Sequence, residues 1–92
     1  MIFLDLPGFG KLKMRDGSFY EGEFVNGEIC GTGMRLWSHN NNVYEGKFDQ
    51  GEMNGMGVMK YGNGDVYQGQ WADNKAEGFG KFSLFISMFI TA

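Results

Sequence analysis

The chain has 92 residues, a formal charge of −3, and 16 glycines set beside nine Phe, four Tyr and two Trp. That length allows one domain with a modest core, and the acidic balance lacks the clustered basic surface that nucleic-acid binding needs. A single cysteine, Cys30, excludes an internal disulfide and favours a reducing, cytoplasmic setting.

Residues 1–7 read as an irregular N-terminal segment. No basic stretch precedes their short apolar run, so they do not resemble a signal peptide. Residues 8–19 contain Gly8-Phe9-Gly10-Lys11-Leu12, a return strand with no partner strand before it, and then a turn at Asp16-Gly17. From there a block of 23 or 24 residues recurs, spanning 20–43, 44–66 and a truncated copy at 67–82. Tyr20-Glu21-Gly22-Glu23-Phe24 returns as Tyr44-Glu45-Gly46-Lys47-Phe48 and as Tyr67-Gln68-Gly69-Gln70-Trp71. Behind each stands a turn residue, Gly27, Gly51 or Asn74, and then a Gly-x-Gly pair: Gly31/Gly33, Gly55/Gly57 or Gly78/Gly80. Residues 83–92 abandon the pattern for an apolar, uncharged tail. It is far shorter than the roughly 20 apolar residues of a membrane-spanning helix. Because the chain starts inside one unit and ends after a broken one, it reads as a fragment of a longer array. A sheet-capping strand and a membrane or partner contact are the alternative roles for the tail.

Fixed-period similarity marks a repeat architecture, and the internal period of two identifies its units as strands. Tyr20, Gly22 and Phe24 share one face, opposed by Glu21 and Glu23; Gly55, Gly57, Met59 and Tyr61 share another, opposed by Met56, Val58 and Lys60. The expected fold is all-β: tandem hairpins forming an elongated, twisted, open antiparallel sheet. Turn glycines supply positive φ, and Asn74 is the replacement best suited to that conformation. The strand glycines are expected to admit a close neighbour, the aromatic ring of the adjacent unit lying over Gly22, Gly46 or Gly69. The opposite face is expected to carry Lys11, Lys13, Glu21, Glu23, Glu45, Lys47, Lys60 and Lys81 as a solvated surface of mixed charge. Arg35 stands where Leu12, Met59 and Phe82 supply an apolar side chain, which suggests a bulge turning Leu36 inward.

Little in the chain suggests catalysis. His39 is the only histidine and sits in a polar loop; Cys30 lacks the orienting partners of a Cys–His nucleophile. The carboxylates are dispersed, so no metal site is expected. The Gly-x-Gly pairs lack the following helix of a phosphate loop. No cofactor and no catalytic residue is implied. Recognition remains: repeats build extended surfaces, and exposed parts of Trp37, Tyr44, Tyr61, Tyr67 and Trp71 are candidate partner contacts. Open strand edges are a second docking route, for an extended peptide or for a second copy joined through edges or ends.

The spacing Tyr-x-Gly-x-aromatic, two residues, Gly, three residues, Gly-x-Gly resembles the MORN (membrane occupation and recognition nexus) repeat, over residues 8–82. The resemblance implies stacked hairpins whose aromatic and glycine face lines a shallow groove. It further implies a non-catalytic scaffold or protein-interaction module of a cytoskeletal, ciliary or membrane-junction protein. Two alternatives accompany it: a phospholipid-binding module for phosphoinositide or phosphatidic acid, and an accessory segment of a lipid kinase or methyltransferase. The acidic balance counts against the lipid reading.

Overall fold

A computed structural model describes residues 8–84. The expected irregular segment 1–7 and tail residues 85–92 lie outside the described residues. Each recurring block folds as a strand, a two-residue turn and a return strand. The strands are β1 (Gly8–Lys13), β2 (Phe19–Val25), β3 (Glu28–Trp37), β4 (Asn42–Asp49), β5 (Glu52–Lys60), β6 (Val66–Ala72) and β7 (Lys75–Ser83). They form one antiparallel sheet in the order β1-β2-β3-β4-β5-β6-β7, with both edges open among the described residues. The molecule is accordingly elongated, 58 × 30 × 17 Å.

The short turns, Asn26-Gly27, Gln50-Gly51 and Asp73-Asn74, have positive φ at both positions; for Gln50-Gly51 the values are 50° and 81°. This is the type I′ geometry, whose twist matches that of the flanking strands. Asn74 adds something that Gly27 and Gly51 cannot. Its Oδ1 accepts the Met53 N–H at 2.8 Å, while its own N–H donates to the Met53 carbonyl at 3.1 Å. The third turn is thereby clipped to the start of β5. The Gly51 N–H makes the corresponding backbone bond to the Ile29 carbonyl at 2.9 Å. The longer turns on the opposite side of the sheet also link to one another. The Ser38 N–H donates to buried Ser18 Oγ at 2.9 Å, and the Gly62 N–H donates to Asn42 Oδ1 at 2.9 Å.

The register aligns one glycine from every strand. Gly10, Gly22, Gly33, Gly46, Gly57, Gly69 and Gly80 are successive cross-strand partners, a row running straight across the sheet. Tyr20 lies over Gly22 and Gly33, Tyr44 over Gly46 and Gly57, and Tyr67 over Gly69 and Gly80. Each hydroxyl donates to the carbonyl three residues on: Glu23 at 3.0 Å, Lys47 at 2.9 Å and Gln70 at 3.2 Å. The ring over each glycine pair therefore belongs to the same unit, contrary to the expectation that the neighbouring unit supplies it. The reason is reach, since a tyrosine laid along its own strand spans the next inward position and places its hydroxyl at the following carbonyl.

The neighbouring unit contributes differently. Phe24, Tyr20, Phe48, Tyr44, Trp71 and Tyr67 form an unbroken edge-to-face series, with ring centroids 5.3, 5.1, 5.0, 5.4 and 5.4 Å apart. Contacts of this kind add about 0.5–1.5 kcal/mol each beyond area burial. All of these rings except half-buried Tyr67 form the core with Met53 and Met59, and Tyr20 and Tyr44 are fully buried. The Trp71 indole N–H is buried without a hydrogen-bond partner among the described residues.

The two glycines of each Gly-x-Gly pair have separate roles. The second is the one under tyrosine. The first sits in a bulge, where the register slips between Gly22 and Phe24, Gly46 and Phe48, and Gly69 and Trp71. Gly55 has φ +98° and is exposed, so it does not share the core face with Gly57 as the alternation suggests. At two bulges the side chain opposite closes the gap: Glu23 Oε1 accepts the Thr32 N–H, and Gln70 Oε1 accepts the Phe79 N–H at 3.4 Å.

No bulge forms at Arg35. Pairing of β3 with β2 and β4 runs without a break through Arg35 and Leu36, so Leu36 stays on the outer face. That face is less charged than expected. Lys60 pairs with Glu45 at 3.3 Å and Lys11 lies over the Phe19 ring at 4.6 Å, but half-buried Phe19, Met34, Leu36, Val43 and Val58 run between the charges.

Candidate functional site

The aromatic face bears two further rows, both from the return strands, which the repeated register brings into line. Leu12, Arg35, Met59 and Phe82 lie opposite the tyrosines. Two residues further on come Met14, Trp37, Tyr61 and Leu84, each four residues after a glycine of the row. Trp37 and Tyr61 are half-buried against the core, whereas Phe82 and Leu84 are 54% and 67% exposed.

Along these rows runs a cleft of about 450 Å³ lined by Arg35, Trp37, His39, Asn40, Asn42, Met53, Met59 and Asn74. It reaches from the longer turns at one end of the strands to the short turns at the other. Its floor is apolar, from buried Met53 and Met59. Its rim is rich in hydrogen-bond donors. Asn42 Oδ1 and Asn74 Oδ1 accept backbone N–H groups as described, and Asn40 Oδ1 accepts the Asn42 N–H at 2.9 Å. The NH₂ groups of these three amides have no hydrogen-bond partner among the described residues.

Arg35 is the charged side chain of the cleft. Its guanidinium stacks on the Trp37 ring at 4.9 Å, and one terminal nitrogen meets the Met14 thioether at 3.8 Å. Its Nε is buried without a partner, and no carboxylate among the described residues lies within ion-pair distance. Burial lowers its pKa, with the charge of Asp16 acting in the opposite direction. Burial likewise raises the pKa of Tyr20, to about 12, and that of Tyr44.

Of the aromatic residues expected to meet a partner, Tyr44 and Trp71 are committed to the core, at 0% and 6% exposure. They are withdrawn from that role because each packs edge-to-face with rings on both sides. Trp37 and Tyr61 keep accessible surface on the cleft side of the sheet, and Tyr67 does so at the end of the aromatic series. The repeat anchors Tyr20, Gly22, Phe24, Gly27, Gly31, Gly33, Gly46, Phe48, Gly51, Gly57, Gly69, Gly78 and Gly80 are placed as core, turn, bulge or glycine-row residues. Cys30 lies near the start of β3 and His39 just past its far end, so the two do not meet. Among the described residues no group of three or more His, Cys, Asp or Glu is placed to hold a metal ion. No described helix is long and apolar enough to cross a membrane. Met14 and Leu84 were missed as row members, although the interval of four residues from Gly10 and Gly80 carries the signal. The cleft amides were missed because turn asparagines read as turn formers.

One hairpin per block, stacked through a tyrosine laid on a glycine pair, defines a tandem β-hairpin repeat protein. The sequence model described as the MORN repeat matches residues 20–39, 44–66 and 67–84, and the chain belongs to the MORN-repeat family. Such repeats form modules commonly used for protein or membrane interaction.

Proposed function

We propose that this chain is a non-catalytic protein-interaction module that holds a partner segment along its aromatic face, within a cytoplasmic assembly of cytoskeletal or ciliary type. The observation that carries this reading is the cleft beside the Met14, Trp37, Tyr61 and Leu84 row. It combines an apolar floor with convergent donors on a rigid sheet, a pattern typical of a binding site. A phospholipid surface fits less well, because the cleft offers one guanidinium and the chain is acidic overall.

Selection of a displayed random peptide library on the full chain tests the proposal. Binders are expected whose affinity falls on Trp37→Ala or Tyr61→Ala and is unchanged by Lys47→Gln on the outer face. Salt-sensitive sedimentation with phosphatidic acid or phosphoinositide vesicles, with no peptide selected, overturns it in favour of lipid binding.

A further inference from the structure

Resting on the protein-interaction reading, we infer that Arg35 makes the cleft selective for a partner segment carrying an Asp or Glu carboxylate among apolar residues. The row to which Arg35 belongs is otherwise apolar, with Leu12, Met59 and Phe82 at the equivalent positions. A cation placed there gives the core nothing that Leu or Met would not. Its Nε is buried and unpartnered, and its protein neighbours are an indole face and a thioether, both weak partners for a guanidinium. Asp16, the one acid that acts on it, is engaged instead through its carboxylate with the Ser18 N–H at 2.8 Å. No carboxylate among the described residues lies within ion-pair distance of Arg35, and Asp16 acts on it only from further away.

The surroundings point the same way. Asn40, Asn42 and Asn74 line the cleft, and each accepts a backbone N–H through Oδ1, which leaves the NH₂ groups as unpaired donors among the described residues. The Trp37 ring beneath its Cζ at 4.9 Å holds the guanidinium at the cleft, and its fork of donors suits the two oxygens of a carboxylate. A doubly charged phosphate calls for several converging cations, and Arg35 is the sole Lys or Arg among the residues lining the cleft. Partner residues beside the carboxylate would cover Trp37 and the methionine floor. That excludes water and strengthens the ion pair.

The experiment uses the full chain and the displayed peptide library, with affinities measured for selected peptides. Arg35→Met copies Met59, its counterpart in the next unit, so that variant is expected to fold, as checked by its thermal transition. Selected peptides are expected to contain an acidic residue. Their affinity should fall about 10- to 100-fold on Arg35→Met. Changing the peptide Asp to Asn, or Glu to Gln, should cost as much, and the double change little more than either alone. Additive losses overturn the inference, as does Arg35 dependence confined to phosphorylated peptides or phosphatidic acid vesicles. Peptides sensitive to Trp37→Ala but indifferent to Arg35→Met overturn it while leaving the protein-interaction reading standing. No peptide binding at all removes both.

Discussion

Replacing Gly57 with alanine adds one methyl group, and the structure places that methyl against the Tyr44 ring, inside normal contact distance of its Cε1, Cζ and hydroxyl oxygen. Gly57 does not have a positive φ, so its backbone accepts alanine and the collision is the whole cost. Tyr44 is fully buried, with Phe48 on one side and Trp71 on the other. The ring has no free space into which to shift. Burying an aromatic of this kind is worth about 4–6 kcal/mol at ~25 cal/mol per Å². Its hydroxyl bond to the Lys47 carbonyl adds about 1 kcal/mol. Partial relaxation returns some of this, and the alanine restricts the unfolded chain by less than about 1 kcal/mol in the other direction. The expected loss is about 3–5 kcal/mol.

A chain of this size has about 5–14 kcal/mol in all, so urea unfolding of Gly57→Ala should show a large fall in midpoint or no folded baseline. Gly51→Ala is the control. Its φ is +81° but nothing lies within 4 Å of the added methyl, so strain alone is tested and about 1 kcal/mol is expected. The double change Tyr44→Leu with Gly57→Ala should cost little beyond Tyr44→Leu alone, because the collision is gone. If Gly57→Ala costs no more than Gly51→Ala, or if its cost persists without Tyr44, the tyrosine does not lie on the glycine row.

Gly80→Ala should cost less than Gly57→Ala, about 1–2 kcal/mol by urea unfolding, because Tyr67 is half-exposed and packs edge-to-face on Trp71 alone. Asn74→Gly keeps the turn conformation but leaves the Met53 N–H without its side-chain acceptor, and about 0.5–1.5 kcal/mol should be lost on thermal unfolding. Arg35→Met should stabilise the free chain by about 1 kcal/mol, since relief of the unpartnered Nε outweighs the lost stacking on Trp37; a lowered urea midpoint refutes this. The folded-state pKa of Tyr20 lies above its unfolded value of 10.0, at about 12. Its contribution is therefore complete below pH 10 and is lost as pH rises through about 12, so unfolding should accompany tyrosinate absorbance over that window, with Tyr20→Phe reducing the pH dependence.

The hairpins, their turns and the identity of the repeat were legible because each rests on local chemistry. Asn26-Gly27 and Gln50-Gly51 announce tight turns, and the Tyr-x-Gly-x-aromatic alternation announces a strand with one buried face. Which ring covers which glycine was not legible. Whether Tyr44 lies over the glycines of its own unit or a neighbour's depends on side-chain direction along the strand, and a period of two leaves both open. The same limit hid the bulges. Gly55 and Gly57 look alike in sequence, yet a slip that sets residues 54–56 opposite Lys47 alone turns the first outward while the second stays under Tyr44. Arg35 misled in a related way: an apolar position holding a cation suggested a distorted strand, whereas the aliphatic stem and the Trp37 face accommodate it without a change of register.

The register divides the aromatic face into positions that are spent and positions that are free. The tyrosines, the aromatics four residues after them and the glycine row are consumed by the stack, and their chemistry repeats in every unit because each fits against the next. The return-strand rows lie outside that series, Arg35, Trp37 and Met59 line the cleft, and the residues do not repeat: Leu12, Arg35, Met59 and Phe82 in one, Met14, Trp37, Tyr61 and Leu84 in the other. A substitution there alters the lining while leaving the edge-to-face series intact, since that series does not pass through those side chains, although Tyr61 and Phe82 make a separate tilted contact at 6.0 Å. Selectivity in such a sheet is accordingly written in the rows that depart from the repeat. Arg35 is the only charged departure in either row, so on the proposed reading it is the residue that would tell an acidic partner segment from a neutral one.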